Sequence, residues 1–152
     1  MNDMKAYFQK LFRYNQWANL VLSEHLRNLA PPDQVMMRMS HIVSAEEIWF
    51  NRVKPLGFDP LPLFEIQPWE LLQPRLEQSA SRWLELVDDT ADFEQVIAYN
   101  NLAGKSFHSP LSDILIHLAN HGTYHRGQIA TLLRQHNLEP LPTDYILFSR
   151  KN

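Results

Sequence analysis

The chain has no cysteine among its 152 residues, which excludes disulfides, cysteine-ligated zinc and a cysteine nucleophile. It has no run approaching the roughly twenty apolar residues that a membrane span requires. Its first twenty residues carry Asp3, Lys5, Lys10 and Arg13, so the uninterrupted apolar core of a signal peptide is missing. Lysine and arginine do not cluster and the formal net charge is -3, leaving no electrostatic footprint for nucleic acid, whose phosphates demand several neighbouring cations. Internal repeats and low-complexity segments are absent as well. These absences imply a soluble cytoplasmic protein with neither a membrane nor a nucleic-acid partner. The length suits a single domain, 1–152, that buries about two-thirds of its unfolded surface.

What the chain does have is a histidine ladder. His117, His121 and His125 recur every four residues, and residues four apart on a helix are surface neighbours. Imidazole is the commonest protein ligand for divalent transition metals, so the ladder points to a metal site. Ser109 as a cap, Pro110 at the first helical position and Asp113 in the first turn signal the start of the helix, and Pro140 its end.

Helical spacing then sorts the three histidines. Leu111, Leu115, Leu118, Gly122, Ile129, Leu132 and Leu133 form one apolar stripe, with His125 inside it, His121 at its edge and His117 farther round toward solvent. Eight residues of helix rise about 12 Å, whereas nitrogens sharing one ion at ~2.1 Å lie roughly 3 to 3.5 Å apart. One ion therefore takes a neighbouring pair, and the stripe selects His121 with His125. His117 either tunes that site from outside or is simply solvated.

The rest of the chain reads as three more helices. Met4, Tyr7, Leu11, Tyr14, Ala18, Val21, Leu22 and Leu29 trace a stripe over residues 2–29, closed by Pro31 and Pro32. Asp33 begins a second helix that runs to Pro55. The proline-rich segment from Pro55 to Gln67 reads as an extended connection able to cross a bundle end. Pro68 opens a third helix with Glu70 near its start and Leu72, Leu76, Trp83, Leu86 and Val87 as apolar positions. A short hairpin or an irregular loop around Asn101 to Gly104 precedes the histidine helix. After it, the tail LPTDYILFSRKN has enough apolar residues to dock. The predicted fold is all-α, an antiparallel or mixed four-helix bundle with a long crossover connection.

A third ligand has to come from a helix facing the middle of the histidine helix. Of His25, His41, His108 and His136, His41 is best placed by position. Periodicity alone does not turn it inward, because the main stripe of the second helix runs through Val35, Met39, Val43, Phe50 and Val53 on the opposite side. His41 does share its side with Met37, Ala45 and Ile48, so this helix is apolar on two faces, as when it meets several neighbours or a second subunit. Glu46 sits in the main stripe. It either supports the ligands or acts as an acid/base, or, more plainly, pairs with an arginine or faces solvent. Arg126 reads as a surface or ion-pair residue, Tyr124, Gln128 and Asn120 surround the histidine pair, and the four tryptophans read as packing residues.

The segments HGTYHRGQIATLL at 121–133, YNQWANLVL at 14–22, SHIVSAEEIWFNR at 40–52 and PTDYILF near the end, taken in order and spacing over nearly the whole chain, resemble the DinB family. That resemblance implies a four-helix bundle, often a homodimer, holding one divalent ion, nickel or zinc, on His41, His121 and His125. Three neutral ligands leave a coordination position for water or substrate. No HExxH pattern is present, which disfavours peptide hydrolysis. Some relatives are metal-dependent enzymes of low-molecular-weight thiols, so the resemblance points to a thiol S-transferase acting with a thiol cosubstrate on a small-molecule electrophile, or to an isomerase. The rivals are a non-catalytic metal-binding or small-molecule-binding bundle linked to stress response, and a metal-free helical dimerisation module.

Overall fold

The structure, a computed structural model, describes residues 2–57 and 59–150. Its elements in chain order are α1 (Asn2–Leu29), α2 (Asp33–Val53), α3 (Trp69–Asp89), β1 (Val96–Asn100), β2 (Ser106–Pro110), α4 (Leu111–Gln135) and α5 (Tyr145–Ser149). The mainly helical fold is as expected, and of the two readings before α4 the hairpin is the one found. β1 and β2 pair antiparallel with Ala98 opposite His108, and Gly104, at φ +80°, supplies the left-handed turn residue that lets the chain reverse. α1 and α2 each lie against both α3 and α4. Among the described residues, no helix is long and apolar enough to cross a membrane.

The core is two apolar clusters with a polar layer between them. One holds Leu22, Leu26, Val35, Met39, Leu72, Leu76, Ile129 and Leu133. The other holds Phe8, Phe12, Phe50, Trp83, Leu86, Leu111 and Leu115. Following each helix from one cluster to the other sets its direction: α1 and α4 run one way, α2 and α3 the other. The bundle is therefore mixed. Because α2 and α3 are parallel, residues 54–68 must return the length of the bundle, and this is the long crossover.

Between the clusters each helix contributes a buried polar side chain: Asn15, Asn19, Glu46, Ser79 and Arg126. Glu46 accepts hydrogen bonds from Asn15 Nδ2 at 2.8 Å, Asn19 Nδ2 at 3.1 Å and Ser79 Oγ at 2.7 Å. Arg126 donates to the amide oxygens of the same asparagines at 3.0 and 2.7 Å. Gly122 admits this crowding, since a Cβ there would lie 2.7 Å from Asn15 Oδ1 and 2.8 Å from Arg126 Nη1. Glu46 thus neither faces solvent nor pairs directly with an arginine; two asparagines bridge it to Arg126. Arg126, read from the sequence as a surface or ion-pair residue, is only 4% exposed.

The same layer shifts the inward face of α1. Met4 and Tyr7 are exposed, while Phe8, Phe12, Asn15, Asn19 and Leu26 are buried. Apolar periodicity placed Tyr14, Ala18 and Leu22 inside correctly but missed Phe8, Phe12 and Leu26, because polar residues occupy the middle of the buried face. Other differences concern helix ends. Pro110, not Ser109, is the N-cap of α4, and the first amides are taken by carbonyls of the segment leading into β1, Leu111 N–H donating to Gln95 O and Ser112 N–H to Phe93 O. At the far end α4 stops at Gln135, before Pro140. Asn137 turns left-handed at φ 55° and Leu138 N–H returns to Leu133 O at 2.9 Å. The tail docks through Phe148 and through Tyr14 Oη donating to Thr143 O; its last two residues lie outside the described residues.

Replacing Arg126 with Met removes the only cation of the layer and strands two buried amide oxygens. The expected cost is about 3 kcal/mol, the range for breaking a buried charged network. Chemical denaturation of Arg126→Met should show that loss as a lower midpoint with an unchanged slope.

Candidate metal centre

Every histidine proposed from the sequence as a ligand arrives at one place. His41 comes from the middle of α2, and His121 and His125 come from successive turns of α4. One ring nitrogen from each lies within 4.8 Å of the others. His121 Nε2 and His125 Nε2 are 3.1 Å apart, inside the range of roughly 3 to 3.5 Å expected of nitrogens that share one ion. The ring centres of His41 stand 4.5 Å from His125 and 5.1 Å from His121.

His41 points inward because α2 is buried on all sides from Met39 to Glu47. One apolar face meets the core and the other meets α4 and the crossover, so neighbours within the chain account for the double face. The ring orientation is held from behind. Leu63 O accepts from His41 Nδ1 at 2.8 Å, and since a carbonyl cannot donate, the proton sits on Nδ1 and the lone pair on Nε2. Gln128 Oε1 plays the same part for His125 Nδ1 at 2.9 Å. Phe64 stacks flat on His41 at 5.1 Å.

The crossover is itself anchored. Glu47, buried beside Glu46, accepts Leu61 N–H at 2.8 Å and a two-pronged contact from Arg75 at 2.6 and 3.0 Å. Arg75 also donates to Asp59 O, and Ser40 Oγ accepts Gln67 N–H at 3.1 Å. These bonds fix the strand of chain that carries Leu63 past His41. The sequence analysis did not find Glu47 or Arg75; a second carboxylate adjacent to Glu46 in a buried helix was the available signal.

The pair on α4 is held toward the neutral form. Burial, followed by the charges that His125, His41 and His117 would carry, pushes His121 down to about 3. Burial also lowers His125, against the Gln128 bond that raises it. Neutral imidazole is the form that binds metal, so this donor set can hold a metal ion. His117 does not join. It is exposed, and its ring is 5.6 Å from His121 and 5.2 Å from Trp49.

The remaining candidates are dispersed. His25 bonds Glu139 O at 2.8 Å, His108 is in the hairpin, and His136 follows the last turn of α4. Tyr124 meets His125 edge-on at 5.2 Å, whereas Asn120 bonds Ile116 O within its own helix. Glu46 spends its hydrogen bonds on Asn15, Asn19 and Ser79, not on the histidines. A groove of about 510 Å³ lies at the other end of α2, away from the histidines, and is lined by Lys54, Asp89 and Asp92.

The model described as DinB family matches residues 1–152. Protein DinB of Bacillus subtilis (strain 168) is 29% identical over 167 aligned positions that cover 95% of this chain and 95% of that protein. No solved structure matches significantly.

The depressed His121 pKa makes the metal-free protein acid-sensitive. Above about 6.5 the imidazole is neutral in both folded and unfolded chains and contributes nothing; below it the unfolded chain takes up a proton that the folded one refuses until about 3. Stability should therefore fall as pH drops from 6.5 toward 3. Thermal melting of metal-free protein should show a lower Tm at pH 5 than at pH 7, and His121→Ala should flatten that difference.

Proposed function

The chain belongs to the DinB family, and on that premise we propose that it binds a divalent transition metal through His41, His121 and His125 and acts as a thiol S-transferase. The observation that carries the metal assignment is the convergence of three imidazoles from two helices, two of them oriented by bonds to Leu63 and Gln128. Nickel and zinc both suit such a set, and ligand softness does not choose between them. A divalent ion there would supply Lewis acidity and lower the pKa of a thiol or water at a free coordination position.

Two features favour a thiol over water as the nucleophile. The ligating cluster holds no carboxylate, and the nearby Glu46 is engaged in the core, so neither is placed as a general base for hydrolysis. A thiol ionises far more readily than water. In the reaction R–SH loses its proton to solvent, the sulfur forms a bond to the electrophilic carbon, and the leaving group departs with the bonding pair. The products are a thioether, a proton and the leaving anion. The chain's own part is to hold the three rings convergent. A second reading, a non-catalytic bundle in which the ion ties α2 to α4, draws on the same placement of ligands on two helices.

Protein purified without added ions should contain about one transition-metal equivalent per chain. His41→Ala, His121→Ala and His125→Ala should each lose it, and His117→Ala should keep it; equal loss in all four would sink the ligand assignment. The metal-loaded protein should then consume thiol in a panel of electrophiles, while turnover equal to that of the His125→Ala protein would leave the structural reading in place.

A further inference from the structure

The metal centre lies along the seam between α2 and α4, and the seam continues past it. Arg38 precedes His41 by three residues and so lies about one turn away on the same face of α2. On α4, Tyr124 and Gln128 touch His125, one by its ring edge at 5.2 Å and the other by the 2.9 Å bond to Nδ1. Those two residues, with Arg38, Thr131, Leu132 and Gln135, line a groove of about 420 Å³. It abuts the histidine cluster through shared side chains and falls within the size range of small-molecule sites.

Arg38 is the unusual member. Arg75 is engaged by Glu47 and a backbone carbonyl, and Arg126 by two asparagines, Tyr14 and Thr123. Among the described residues, half-buried Arg38 has neither a salt bridge nor a hydrogen-bond partner, and no acidic side chain lines the groove. A guanidinium offers five donors in a planar fork that matches a carboxylate. Leu132 and the Tyr124 ring provide apolar wall for a short carbon skeleton.

We infer that this groove binds the carboxylate end of the thiol cosubstrate, with Arg38 as the anchoring cation, so that the substrate class is a small carboxylate-bearing thiol. The inference rests on the thiol chemistry proposed above and adds the group by which the thiol is chosen. Arg38 selects the ligand and takes no part in bond making.

The test uses cobalt-loaded full-length protein, with the sulfur-to-cobalt absorption band reporting binding of N-acetylcysteine and of its uncharged amide. Wild type should bind the acid about ten-fold more tightly than the amide, the discrimination expected of one charge-assisted hydrogen-bonded pair. Arg38→Met should take up cobalt normally and bind both thiols equally, and Arg38→Lys should recover part of the preference. Equal affinity of wild type for acid and amide, or discrimination that survives in Arg38→Met, overturns the anchor and leaves the thiol reading standing. Cobalt uptake with neither thiol binding overturns the thiol reading and the anchor together, and absence of cobalt uptake overturns the metal centre itself.

Discussion

A carboxylate in the middle of a helical core has to be matched by donors, and most of this structure follows from how Glu46 is matched. Burial pushes its carboxyl up, and hydrogen bonds from Ser79, Asn15 and Asn19 together with the Arg126 charge pull it back. The donors come from α1 and α3 and the cation from α4, so the four helices can satisfy the layer in only one register. Slipping any helix by a turn would leave a polar group unpaired between two apolar clusters. Arg126 directly follows His125 and Glu46 lies five residues beyond His41, so the register that satisfies the layer also sets His41 against the histidine pair.

The parallel course of α2 and α3 is the second constraint. It obliges the crossover to travel along the bundle, where Glu47 and Arg75 fasten it and where its Leu63 carbonyl meets His41. A segment that looks like mere connection in the sequence therefore becomes the outer support of a ligand. In metal sites the partners behind the imidazoles decide which nitrogen faces the ion, and Leu63 and Gln128 stand in that position here. It also separates duties: the polar layer carries register, and the crossover carries ring orientation.

Much of this could be read from residue order alone. The helices are evident from proline punctuation and apolar spacing, with α2 found at Asp33–Val53 and Pro68 standing as the N-cap of α3, which begins at Trp69. The stripe on α4 ranked His125, His121 and His117 by depth in the order the structure shows. Where reading by apolar period failed, a polar residue had taken an inward place. Asn15 and Asn19 displaced the apparent stripe of α1, and Arg126 looked like surface because nothing local reveals that Gly122 clears room for it.

The ends of α4 show the same limit on a smaller scale. Ser109 is a good cap by type, yet the carbonyls of Gln95 and Phe93, just ahead of β1, reach the first amides instead. The helices, the inner histidine pair and the outer position of His117 are legible in residue order, because those depend on a helical repeat that spans only a few residues. That His41 completes the cluster, that Glu46 and Arg126 meet across two asparagines, and that Arg38 lines an open groove emerge from the packing of the helices. Each of those depends on which helix lies opposite which, and that is set by pairings between residues from 27 to 111 positions apart that no local period encodes.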